Sequence, residues 1–112
     1  MDSTRQLKVS RLIQKELASI LLIEGKLFLG SAMVTVTSVR ISPDLSFAKI
    51  YLSIFAVPDR EKLLKIIKEN QAMIRKLLGQ RIGKQVRIIP ELNFFIDDTM
   101  DHAIRIHELL KK

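Results

Sequence analysis

The chain has 112 residues, 47% of them hydrophobic, with three prolines and four glycines, enough for one compact domain, 1–112, and too apolar for disorder. It has no cysteine, which excludes disulfides, thiolate metal sites and cysteine nucleophiles, and no apolar run reaches membrane-spanning length. The formal net charge of +7 favours nucleic acid or another anionic surface as partner.

Ser3 or Thr4 is expected to cap a first helix running to about Ile23, with Gly25 as its stop signal. Val9, Ile13, Leu17, Ile20 and Leu21 form its apolar stripe, and Lys8, Arg11 and Lys15 gather on the opposite side. The stripe holds no Trp or Phe, so a core is a better destination for it than a membrane surface. β-branched residues accumulate from Met33 to Ile41 and predict a strand. Its apolar phase slips between Val36 and Val39, which predicts a bulge near Ser38. Ser42-Pro43-Asp44 is turn chemistry and closes a hairpin. In the second strand, Ala48, Ile50, Leu52 and Ile54 should face the helices, with Phe47, Lys49, Tyr51 and Ser53 on the other side. Base stacking on those aromatics is conceivable, but cross-strand packing is the favoured reading.

Asp59 caps the next helix, whose apolar face is Leu63, Ile66, Ile67, Ile74, Leu77 and Leu78. Lys62, Lys65, Lys68, Arg75 and Lys76 lie opposite. From Arg60 to Arg87 there are nine basic residues, including Arg81 and Lys84, against only Glu61 and Glu69, so this stretch supplies the whole net charge. One side anchored in a core and the other basic suits a polyanion. Asn70 falls within the apolar face, where a buried amide costs about 1–3 kcal/mol without partners, so a break is expected at Asn70-Gln71-Ala72. Gly79 and Gly83 mark a weakened last turn and a stop. A third strand is expected over Val86–Ile89 and Leu92–Ile96, interrupted by Pro90 at an edge or bulge. Asp97, Asp98 and Thr99 offer caps for a short final helix with Met100, Ala103, Ile104 and Leu110 inside.

Nothing here composes a catalytic site. His102 and His107 are five apart, on opposite sides of a helix, and Asp97, Asp98 and Asp101 read as an acidic first turn rather than a cation site. No metal and no cofactor is expected, and no enzymatic activity. The elements make an α+β fold: helix, hairpin, broken basic helix, strand, with a three-stranded sheet packed on the helices.

This order resembles a type II KH domain, a fold that grips RNA with a G-x-x-G loop between two helices. No such tetrad occurs at the break. A KH-like fold with a kink in place of the loop resembles the ribosome-binding factor A family, and local motifs agree. Ser42-Pro43-Asp44-Leu45 with Ala48-Lys49-Ile50-Tyr51 is similar to that family's hairpin signature, and Arg87-Ile88-Ile89-Pro90-Glu91-Leu92-Asn93-Phe94 to its Arg-x-x-Pro-Glu-Leu-x-Phe segment. Asn70-Gln71-Ala72 stands where the family usually reads Ala-x-Gly. The resemblance implies a cytoplasmic assembly factor, monomeric when free, that binds the immature 30S ribosomal subunit and assists maturation of its 16S rRNA. On that reading Lys62, Lys65, Lys68, Arg75, Lys76, Arg81 and Lys84 meet phosphates, Asn70 and Gln71 add hydrogen bonds, and Lys8, Arg11 and Lys15 extend the footprint. The competing reading is a protein-interaction module that pairs through the strand carrying Phe47 and Tyr51.

Overall fold

The structure, a computed structural model, describes residues 3–26, 30, 32–55 and 58–97. Helix α1 spans Thr4–Ile23 and opens on a capping box. The Ser3 hydroxyl accepts from the Gln6 amide at 3.1 Å, and Gln6 Oε1 accepts from the Ser3 amide at 2.8 Å. Gln6 is itself buried, and its Nε2 donates to the Ile41 carbonyl at 2.9 Å, so one side chain both starts the helix and fixes it to the sheet.

Strands β1 (Met33–Ile41) and β2 (Phe47–Phe55) form the expected antiparallel hairpin. The register slips between Val36 and Ser38, leaving Thr37 as the extra residue, as the apolar phase predicts. Thr37 is pinned there: its hydroxyl donates to Asp97 Oδ2 at 2.6 Å and lies 3.2 Å from the Tyr51 carbonyl. Gln14 Nε2 on α1 reaches the Val36 and Thr37 carbonyls. In the turn, Asp44 Oδ1 accepts from the Ser42 and Ser46 hydroxyls and the Ser46 amide. Those bonds lower the carboxyl to a pKa of about 2. They hold Leu45 in the left-handed region at φ 62°.

Helix α2 (Arg60–Glu69) starts where the Asp59 carboxylate accepts from the Lys62 amide at 3.1 Å. Helix α3 (Gln71–Ile82) follows after one residue, Asn70. Strand β3 (Glu91–Ile96) then lies parallel to β2, giving the sheet order β1-β2-β3. The third strand is shorter than expected, because Val86–Ile89 forms no strand and bends at Arg87 and Ile88. Pro90 has no N–H, so the first amide available for pairing is that of Glu91, which donates to the Ser46 carbonyl at 2.9 Å. The expected final helix lies outside the described residues.

α1 packs on β1 and α3, and α2 packs on β3, so the helices share one side of the sheet. Ile13 and Leu17 from α1, Ile50 and Leu52 from β2, Ile67, Ile74 and Phe94 meet in one buried cluster. Leu64 joins this core although the periodicity did not single it out, and Ile66 and Leu77 are only half-buried. Ser53, expected on the outer side, is 4% exposed, because β2 is the central strand and a small side chain there is shaded by its neighbours. That central position also overturns the protein-interaction reading: the strand bearing Phe47 and Tyr51 is paired on both sides and offers no edge to a partner strand.

Gly79 sits inside α3 and Gly83 is its C-cap, at φ −58°. A Cβ at Gly79 would meet Ile89 Cγ1 at 3.5 Å, an ordinary contact. Gly79→Ala is therefore expected to raise stability by about 0.5–1 kcal/mol, read as a higher urea midpoint with an unchanged slope. A lower midpoint would contradict the placement of this turn.

Candidate nucleic-acid interface

The helix break is produced by Asn70, at φ −99° and ψ 12°. Its Nδ2 donates to the Ile66 carbonyl at 2.8 Å, and its amide is shared between the Ile66 and Ile67 carbonyls at 3.2 and 3.1 Å. The chain thus satisfies the amide that the apolar face could not house. Asn70 makes no side-chain cap on α3, whose first turn has no acidic residue, so the positive end of that helix is left uncompensated by a side chain.

Against this break lies a groove of about 460 Å³, lined by Lys68, Glu69, Gln71, Ala72, Arg75 and Glu91. It shares Ala72 and Arg75 with a second hollow of about 400 Å³ that reaches Lys76, Gly79 and Ile89. Lys68 and Lys76 are exposed and make no hydrogen bond or ion pair among the described residues. Lys62 and Lys65 are exposed on α2, the latter about one helical turn before Lys68.

Other candidates have different employments. Arg75 donates through Nε to the Pro90 carbonyl at 3.1 Å and through NH2 to the Ile89 carbonyl at 2.7 Å. Gln71 Nε2 donates to the Leu92 carbonyl. Together they fasten α3 to the entry of β3, a role that spacing within the helix does not reveal. Arg81 bridges to α1, meeting Glu16 Oε2 at 3.3 Å and the Ser19 hydroxyl at 2.8 Å. Lys84 is exposed in the turn after α3. Lys8, Arg11 and Lys15 are exposed on α1, which does pack beside α3, but none of them lines the groove. Glu69 and Glu91, which helix spacing does not bring together with the lysines, also line the groove and make it amphoteric rather than purely basic. Such a surface offers ammonium groups to phosphates and carboxylates to the amino edges of bases.

Comparison with known proteins agrees with this architecture. The family model described as Ribosome-binding factor A matches residues 5–110. The ribosome-binding factor A of Cytophaga hutchinsonii is 51% identical over 112 residues, covering 100% of this chain and 84% of its own length. That of Flavobacterium johnsoniae is 39% identical over 111 residues, covering 98% and 85%. Among solved structures, the crystal structure of the Thermus thermophilus factor superposes with a TM-score of 0.69 at 22% identity, covering 81% of this chain and 94% of that one. A homology model of the Thermus thermophilus factor, fitted into a cryo-EM map of a 30S complex, superposes with a TM-score of 0.58 at 23% identity, covering 87% and 96%. Among the described residues, no helix is long and apolar enough to cross a membrane.

Proposed function

The chain belongs to the ribosome-binding factor A family, and from that premise we propose that it binds the immature small ribosomal subunit and assists maturation of its 16S rRNA. The observation that carries the reading is the groove at Asn70, where Lys68 and Lys76 stand unpartnered beside the uncapped start of α3. Exposed ammonium groups next to a positive helix end neutralise phosphates and release counterions, with little dependence on sequence. Lys62 and Lys65 continue the positive surface along α2. Asn70 and Gln71 shape the site more than they contact RNA, because their amide nitrogens bond within the chain. Arg81, Lys84, Lys8, Arg11 and Lys15 form an outer ring of longer-range attraction. The action is binding rather than covalent catalysis, and its place is the cytoplasm.

The test is sedimentation of the purified chain with isolated small subunits across a salt series. Co-sedimentation in low salt is expected to fade steeply as salt rises, the logarithm of affinity falling by about 0.7–0.9 per phosphate contact for each unit of log salt. Equal binding to large subunits, or affinity indifferent to salt, would remove the basis of the proposal.

A further inference from the structure

The side of the sheet away from the helices holds a second arrangement that the groove does not explain. Register places Arg40 of β1 opposite Lys49 of β2, and Lys49 beside Asn93 of β3. Three hydrogen-bond donors thus stand in one row across three strands. Like charges directly opposite on neighbouring strands destabilise a sheet, and here neither the Arg40 nor the Lys49 side chain has a hydrogen bond or ion pair among the described residues. Asn93 Nδ2 is closed off from solvent and bonds to no acceptor among them, a cost of about 1–3 kcal/mol. The next row is Ser38, Tyr51 and Phe95. Tyr51 and Phe95 stack with ring centroids 5.6 Å apart and planes at 29°. This is the cross-strand packing expected of them, yet Phe95 stays 40% exposed, and Phe47, four residues before Tyr51 on β2, 37% exposed. Ser38, Arg40, Lys49, Tyr51 and Asp97 line a hollow of about 320 Å³. Asp97 is the carboxylate there, and it accepts from the Thr37 hydroxyl. Glu91 lies at the far row, beside Phe47.

We propose that this outer sheet face is a second RNA-binding site, holding single-stranded RNA with a phosphate on the Arg40–Lys49 pair and a base against Tyr51 and Phe95. Opposed cations whose side chains make no ion pair among the described residues, with Asp97 the one carboxylate lining their hollow, ask for an anion, and a partly exposed ring stack one row away asks for a flat apolar face. A nucleotide supplies both at that spacing, and the stack tolerates any base. The site rests on the reading of the chain as an RNA-binding factor but uses other residues than the groove, the two meeting only at Glu91, which lines the groove and stands in the outer row beside Phe47. It gives the protein two places to hold ribosomal RNA at once.

Arg40→Glu provides a test with two readouts of opposite sign. It turns a like-charge pair into an opposite-charge pair, so the melting temperature should rise while affinity for a short fluorescent oligouridylate, measured by anisotropy in low salt, should fall about tenfold. Phe95→Ala should weaken the same oligonucleotide about fivefold or more. A 4-thiouridine oligonucleotide should cross-link to the β2 or β3 peptide. If Arg40→Glu stabilises the fold and binds the oligonucleotide as the parent chain does, the sheet site is overturned. If it instead costs only a nuclease-resistant contact with a ribosomal protein, the face belongs to a protein and the proposal is likewise overturned. Lys68→Glu with Lys76→Glu separates the two readings in subunit binding. Loss there with no effect of Arg40→Glu removes the sheet site alone, and no effect of either removes both.

Discussion

Replacing Lys68 and Lys76 together by glutamate is expected to weaken binding to isolated small subunits by about 100-fold in low salt. Both ammonium groups are exposed and have no partner among the described residues, so the substitutions break no internal contact and the melting temperature should not move. The loss has two sources: phosphate contacts disappear, and new carboxylates join Glu69 and Glu91 in the groove. Because cations leave the interface, the salt dependence should flatten by about one unit of slope for each lysine. Affinity within about threefold of the parent chain would show that RNA does not enter the groove. Arg75 is a poor choice for such a charge reversal, since glutamate there would also face the Pro90 and Ile89 carbonyls.

Arg75 instead supports the second large effect. Arg75→Lys keeps the charge but cannot reproduce the planar fork that serves both carbonyls, and it is expected to cost about 1–2 kcal/mol of stability. In a chain of this size that corresponds to a melting temperature lower by about 4–8 °C. Where the subunit still binds, its salt slope should match the parent's, because the positive charge is retained. An unchanged melting temperature combined with a large loss of affinity would mean that the guanidinium serves RNA directly and that its carbonyl bonds are incidental.

The contrast between these residues indicates what was legible before the structure. The break at Asn70 was, because an amide in an apolar stripe is a local contradiction visible in a few residues. The bulge at Thr37 was legible for the same kind of reason: a strand's two-residue period slips in place. The clamp was not, since Arg75 and Gln71 find their acceptors 14 to 21 residues further along, on backbone whose position depends on the finished sheet. The start of β3 is not legible in the sequence, because Val86–Ile89 has strand-like side chains while pairing is decided by where an amide first becomes available after Pro90. Of the candidate site, residue type and exposure could be read for Lys62, Lys65, Lys68 and Lys76. The employment of Arg81 by Glu16 and Ser19 could not, because it needs α1 and α3 side by side.

Glutamines on α1 reach the carbonyls of β1 on one margin of the sheet, while Gln71 and Arg75 reach those of β3 and its lead-in on the other. An incoming strand from another molecule would have to evict these donors before it could pair, and eviction would loosen the helices as well. The same bonds that shape the protein therefore discourage fibre growth and strand exchange, which suits a basic chain that must stay dispersed among far larger, highly charged particles.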